Sequence, residues 1–134
     1  MRKKAPVKKK KVKKRPNFGQ IYIKLFKTNI YYVCCSRRDY DILINHVFNA
    51  VIPEDKEGFG GTTEGYEKDN QIIDVIWINK KCGKDSTVIA HESFHVVFNI
   101  LHRKGIWLTQ SSEELYAYLM QSIMIDILND WKKK

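Results

Sequence analysis

Two histidines and a glutamate lie within five consecutive residues, His91-Glu92-Ser93-Phe94-His95. The flanking apolar residues recur with helical spacing, so all five are predicted to lie inside a helix. Four residues along a helix advance the chain by ~6 Å and turn it by only ~40°, which brings both imidazoles to one face. Such a pair can bind one metal ion, and Glu92 can then reach a metal-bound water. The pattern indicates zinc-dependent hydrolysis with Glu92 as the general base.

The same two histidines have a purely structural explanation that competes with the metal site. The predicted helix carries apolar residues on both sides of the pentapeptide, among them Val88, Ile89, Val96 and Val97, which indicates burial. Two buried histidines could satisfy their ring nitrogens by hydrogen bonds to carbonyl groups. Both explanations stay open at the level of the sequence.

A catalytic zinc site needs a third protein ligand and one open position. His102 lies seven residues after His95, ~10.5 Å along a straight helix, which is too far to share the ion. A helix that breaks at a glycine and returns a third histidine is also excluded, because Phe98 and Leu101 stand at those two positions. The next predicted helix can instead present the carboxylate of Glu114 from its opening turns.

Two motifs in succession, His91-Glu92-x-x-His95 and then Glu114-x-x-Ala117, resemble the gluzincin branch of zinc metallopeptidases, the thermolysin-like clan. In that clan the third zinc ligand is a glutamate on a following helix. The chain looks most like the very small gluzincin-type peptidase domains that bacteriophages and related bacterial elements encode.

The resemblance covers about residues 70–125 and implies a role for each matching residue. It implies that zinc is bound by His91, His95 and Glu114, and that Glu92 activates a zinc-bound water for attack on a peptide carbonyl. It also implies a zincin-like fold, in which the strand before the histidine helix, or a neighbour of that strand, forms the rim of the substrate cleft. An extended peptide can pair with such a rim by main-chain hydrogen bonds.

The segment around Glu114 departs from the family pattern and leaves alternatives open. Tyr118 stands where the family often has an aspartate that orients a zinc-bound histidine, and its hydroxyl is a candidate for that role or for an oxyanion donor. Glu113 is the substitute ligand if Glu114 is not used. Ser111 and Glu114 also have the spacing of a capping box, in which Glu114 bonds back to the Ser111 amide.

Positive charge is concentrated at one end of the chain. The net charge is +9, yet residues 1–15 hold ten basic residues and no acid, and the rest of the chain holds 14 basic and 15 acidic residues. Such a run has nothing to bury, so residues 1–16 are predicted to be a disordered tail. It suits the phosphates of nucleic acid, bound without sequence preference, although a membrane surface, nuclear import or solubility are alternatives. The predicted contact residues are Lys8, Lys9, Lys10, Lys11, Lys13, Lys14 and Arg15.

Residues 17–134 are predicted to form a single zincin-like domain of the α+β class. Its sheet is expected to be small, mixed or antiparallel, with about three strands packed on three helices. The strands are predicted over 20–26, 30–35 and 72–78, and the helices over about 37–52, 85–102 and 112–130. The glycine-rich residues 54–70 are predicted to be a loop or an irregular hairpin, and Trp77 a core residue.

Composition also excludes several classes of protein. No stretch approaches the ~18 apolar residues of a membrane span, and charged residues follow the basic N-terminus where a signal peptide needs apolar ones. Three cysteines without Cys-x-x-Cys spacing indicate an intracellular protein, in the host cytoplasm if a phage encodes it.

The main hypothesis is a zinc metallopeptidase that acts on a peptide or protein. Its rival is a nucleic-acid-associated or structural phage-type protein that keeps a zincin-like fold without general proteolysis.

Overall fold

The structure, a computed structural model, describes residues 16–52, 60–83 and 85–133. Its strands are β1 (Gly19–Ile23), β2 (Thr28–Cys35), β3 (Gly61–Lys68) and β4 (Gln71–Asn79), and its helices are α1 (Arg37–Phe48), α2 (Ser86–Arg103) and α3 (Glu113–Lys132). The predicted α+β class with three helices is confirmed, and the described part holds four strands where about three were expected. Residues 1–15, predicted to be a basic tail, lie outside the described residues.

All four strands belong to one mixed sheet in the order β1-β2-β4-β3. The outer strands β1 and β3 are antiparallel to their neighbours, whereas β2 and β4 are parallel. The interior strand β4 is buried from Ile73 to Ile78. A strand that is covered on both faces has a nearly continuous apolar sequence, which explains why the strand predicted over 72–78 agrees closely with β4. β3 lies at one end of the strand order.

The helices cover both faces of the sheet. On one face α1 packs on the sheet, and Tyr40 stacks on Trp77 with ring centroids 5.2 Å apart. Trp77 is 1% exposed and its indole N–H donates to the Cys35 carbonyl at 3.0 Å, so its prediction as a core residue is confirmed. On the other face α2 and α3 enclose a second core that includes Ile76 and Ile123.

Two boundaries differ from the prediction. Within the predicted loop or irregular hairpin, residues 61–68 form a regular strand that pairs with β4; its polar composition, usual for an outer strand, concealed it. Residues 54–59 of that loop lie outside the described part. Helix α1 ends at Phe48, four residues before its predicted end at about residue 52, because Asn49 adopts the left-handed conformation with a φ of 52°.

Helix α2 is capped at its start and bonded to the sheet at its end. At its start Asp85 accepts hydrogen bonds from the Thr87 amide and hydroxyl at 2.9 and 2.7 Å, and these bonds lower the pKa of the Asp85 carboxyl. At its end Arg103 donates to the carboxylate of Asp74 on β4, which is 0% exposed. Burial raises the pKa of Asp74, while hydrogen bonds from Arg103 and Asn99 act in the opposite direction. The bond between Arg103 and Asp74 joins the end of α2 to the interior strand of the sheet.

Within the described ranges, no helix combines the length and the apolar character that a membrane span requires. In the part of the chain that the structure describes, Cys34, Cys35 and Cys82 form no disulfide. Burial raises the pKa of the Cys35 thiol to about 12, so this cysteine stays protonated and serves as a small core residue.

Candidate metal centre

Helix α2 brings the two histidines of the motif together on its solvent side. The Nε2 atoms of His91 and His95 lie 3.1 Å apart, and both residues are exposed. Two nitrogens that bind one tetrahedral zinc ion at ~2.0–2.1 Å are about 3.3 Å apart, so this pair fits two corners of such a site. Their exposure contradicts the alternative in which both are core residues bonded to carbonyl groups.

Glu92 points from the same helix toward strand β3. It is 5% exposed, and the Thr63 hydroxyl lies 2.6 Å from its Oε2 and 3.1 Å from its main-chain carbonyl oxygen. The hydroxyl therefore holds the carboxylate in one orientation beside the histidine pair. Sequence reasoning missed Thr63, because nothing in a polar segment 29 residues upstream ties it to Glu92 before the sheet is known.

A glycine lets β3 lie close to its neighbour β4 beside this contact. A Cβ atom on Gly61 would clash with the Trp77 carbonyl oxygen on β4, whereas its distance of 3.4 Å from Cγ of Glu92 would be an ordinary contact. A larger residue there would therefore disturb the pairing of β3 with β4, since real Cβ atoms do not come so near to a backbone oxygen. Gly61 is thus required by the sheet, and Thr63 reaches Glu92 from the strand that this pairing positions.

Between β3 and α2 lies an open cleft of about 370 Å³, within the size range of small-molecule and peptide subsites. One wall is strand β3 and the other is helix α2, and the lining residues are Gly61, Thr62, Thr63, Glu64, His91, Glu92, His95 and Asn99. Two imidazoles, two carboxylates and an amide side chain therefore share one concave surface.

The structure does not bring Glu114 into this cleft. Among residues 16–52, 60–83 and 85–133, no three His, Cys, Asp or Glu side chains lie close enough together to hold a metal ion. Helix α2 continues to Arg103, eight residues or ~12 Å beyond His95, before the chain turns. Glu114 is the second residue of α3 and is exposed, as is Glu113. The histidine pair is formed, and the third ligand stays a prediction.

The capping-box alternative for Glu114 is wrong. Helix α3 begins at Glu113 with Ser112 as its N-cap, and no side-chain hydrogen bond caps it. The Ser112 hydroxyl instead bonds the Trp107 carbonyl oxygen at 2.5 Å and accepts from the Thr109 amide at 2.8 Å. With the cap at Ser112, the spacing to Glu114 is one residue too short for the motif.

Tyr118 and His102 lie elsewhere on the surface. Tyr118 is 68% exposed and is absent from the cleft lining, so its orienting or oxyanion role also stays a prediction. The His102 ring lies between a tilted Phe98 ring and an edge-on Trp107 ring, with centroids 3.7 and 4.3 Å away. His102 is also absent from the cleft lining. Residues 8–15 of the predicted nucleic-acid contacts are outside the described part.

The first of the two motifs that resemble gluzincins, His91-Glu92-x-x-His95, lies on α2 with its two imidazoles converged. The second, Glu114-x-x-Ala117, lies at the start of α3 and lines no part of the cleft. Comparison with known proteins finds no match: no family model, no curated protein and no solved structure matches the chain.

Proposed function

We propose that this chain is a zinc-dependent metallopeptidase with a zincin-like domain. One observation carries the proposal: the Nε2 atoms of His91 and His95 converge to 3.1 Å beside a carboxylate, Glu92, that a hydroxyl holds in place. Two converging imidazoles alone would suit a structural metal site. The oriented glutamate next to them is what a hydrolytic site needs in addition.

His91 and His95 would hold the zinc ion through Nε2, and Glu114 is the proposed third ligand on the basis of the gluzincin resemblance. Neutral imidazole and carboxylate are ligands that zinc commonly takes in catalytic sites. When bound, zinc supplies a Lewis acid that activates water and polarises a carbonyl group. Tyr118 remains the candidate for orienting a ligand or for donating to an oxyanion.

Glu92 is proposed to transfer a proton from the attacking water to the departing amine. Thr63 donates to Oε2, which leaves Oε1 to accept a proton from the attacking water. The protonated carboxyl group can then pass that proton to the departing amine of the scissile peptide. The low exposure of Glu92 limits its exchange with bulk water, so the proton is kept within the cleft.

Strand β3 is the proposed rim on which a substrate peptide is held. The expectation was that the strand over 72–78 or its neighbour has this role. Since that strand is the interior β4, the neighbour β3 is the better candidate. It lines the cleft with four successive residues, Gly61 to Glu64, and an extended peptide can add to a strand edge by main-chain hydrogen bonds.

Cleavage of an unfolded protein by the zinc-loaded chain tests this function. We expect fluorescently labelled casein to be cleaved, the cleavage to stop with a metal chelator, and activity to return when zinc is added back. A chain that carries zinc but cleaves neither casein nor a mixed peptide library would support the rival, a protein that keeps the fold without general proteolysis.

The third ligand can be assigned by metal analysis of two single variants. Glu114→Ala is expected to lose zinc, because a two-histidine site binds it weakly, whereas its neighbour Glu113→Ala is the matched control and should keep it. Loss of zinc in Glu113→Ala alone would move the ligand to that residue. Retention in both variants would remove the α3 carboxylates from the site.

We also propose that the basic residues from Lys8 to Arg15 contact nucleic acid. The observation in its favour is the separation of charge, ten basic residues in 1–15 against a nearly neutral remainder. Binding of this kind depends on phosphate charge and not on base sequence. It is compatible with either a peptidase or the nucleic-acid-associated rival, so it does not decide between them.

A further inference from the structure

A second cleft lies at the opposite end of the sheet from the histidine pair. It has a volume of about 330 Å³, and three chain segments contribute polar residues to it. They are the β1–β2 turn, the β3–β4 turn and the end of α2, which provide Lys27 and Thr28, Asn70 and Gln71, and Arg103 and Lys104. We call this cleft the basic groove.

The basic groove concentrates positive charge on a body that is otherwise close to neutral. Three of its lining side chains are cations, and no carboxylate is among the lining residues. In the described part of the chain, Lys27 and Lys104 form no ion pair. Arg103 is held against the wall by the buried Asp74, so one guanidinium is fixed while two ammonium groups remain available to an anion.

The backbone conformation of Lys27 indicates that its side chain has a role in binding. Lys27 has a φ of 49°, a left-handed conformation that disfavours residues with a Cβ and that glycine or asparagine adopts more readily. A lysine at such a position gains nothing for the turn itself. Residues in unfavourable backbone conformations are frequent at binding sites, where the side chain compensates.

The C-terminal end of a helix carries partial negative charge, which disfavours an anion near it. At the end of α2 this unfavourable effect is reduced. Three of the last four carbonyl groups of α2 accept hydrogen bonds: Lys104 N–H donates to Ile100 and Leu101, Gly105 N–H to His102, and Ile106 N–H to Leu101. The negative end of the helix is therefore partly covered by the chain's own amides, with the cations of Arg103 and Lys104 beside it.

The groove also has an apolar side. Phe26, Ile72 and Ile100 contribute to its lining, and Ile72 is 48% exposed. Asn70 and Gln71 stand next to this surface with both donor and acceptor groups. A ligand that fits the whole groove has an anionic group at one side and a flat or apolar group with hydrogen-bonding edges at the other.

We propose that the basic groove binds a nucleoside phosphate, with the phosphate at Lys27, Lys104 and the remaining N–H groups of Arg103. The base lies against Ile72 and is bonded by Asn70 or Gln71. This chemistry is shared by free nucleotides and by a nucleotide within a strand of nucleic acid. The site is independent of the histidine pair and of the peptidase proposal.

The test uses the 134-residue chain with the ten basic residues of 1–15 changed to serine, because that segment is itself proposed to bind phosphates and would mask the groove. This parent chain is titrated with three probes, ADP, inorganic pyrophosphate and a short oligothymidylate. Affinities are measured for the parent, for Lys27→Glu with Lys104→Glu, and for a control, Lys80→Glu with Lys132→Glu, which makes the same charge change at exposed residues outside the groove. The groove variant is expected to bind ADP or the oligonucleotide at least about tenfold more weakly than the parent, because two charge-assisted bonds to phosphate are lost. The control should stay within about twofold to threefold of the parent.

The probes separate the sources of the ligand. Tight ADP binding that depends on the groove identifies a free nucleotide, and groove-dependent binding of the oligonucleotide alone identifies a strand. In a further variant, Lys27→Gly, thermal stability should rise while affinity falls, a combination that a purely structural lysine would not give. Equal loss of affinity in groove and control variants, or equal binding of pyrophosphate and ADP, would overturn the proposal.

Discussion

Replacing Glu92 with glutamine is expected to remove peptidase activity while zinc content and fold stay close to wild type. Glutamine keeps the shape of the side chain, and its amide oxygen can still accept the hydrogen bond from Thr63. It cannot accept a proton from water, and the loss of a general base lowers the rate about 10²- to 10⁴-fold. The measurement is the rate of casein cleavage by zinc-loaded protein, with metal analysis of the same sample.

Glu64→Gln is the matched control for this variant. Glu64 is the other carboxylate in the cleft lining, on β3 and not on the histidine helix, and its loss is expected to change the cleavage rate by less than about threefold. If Glu92→Gln cleaves casein as fast as wild type, the base has been misassigned. If Glu64→Gln is the inactive variant, Glu64 is the general base.

Neutralising the basic segment is expected to have the second large effect, on nucleic-acid binding. Changing all ten basic residues of 1–15 to serine keeps the length of the chain and removes the charge excess. Affinity for DNA or RNA should fall at least about a hundredfold at low salt, because most of the binding free energy comes from released counterions. The wild-type affinity should also fall steeply as salt is added, and the variant's salt dependence should be much weaker.

The same variant separates this segment from the cleft. Since His91, Glu92 and His95 belong to α2 in the packed body, zinc content and casein cleavage should survive the change. Unchanged nucleic-acid binding would refute the assignment of the segment. Weak residual binding that the Lys27→Glu and Lys104→Glu variant abolishes would belong to the basic groove.

The features that could be predicted from the sequence depend on residues that are close together in the chain. The apolar run of β4 and the helical spacing around His91 and His95 predicted the ends of β4 and α2 to within a few residues. The i, i+4 spacing alone was enough to predict that both imidazoles lie on one face of the helix. The start of α1 is likewise local, since the Ser36 hydroxyl accepts from the Asp39 amide at 3.1 Å and so caps the helix.

What could not be predicted depends on contacts across the sheet. Strand β3 has a polar sequence, so its pairing with β4 and the contact of Thr63 with Glu92 appear only once the strand order is known. The same holds for the Asp74–Arg103 pair, which joins residues 29 apart. The position of Glu114 depends on where α2 ends and α3 begins, the kind of boundary that propensity locates least well.

The zinc content of the purified full-length protein tests the central claim most directly. After expression with ample zinc, we expect about one zinc ion per chain in wild type and much less in His91→Ala and in His95→Ala, since each variant removes one of the two converged nitrogens. The two variants should also unfold at a lower temperature than wild type, because metal bound only to the folded state stabilises it. Wild-type protein without zinc, or histidine variants with as much zinc as wild type, would contradict the account.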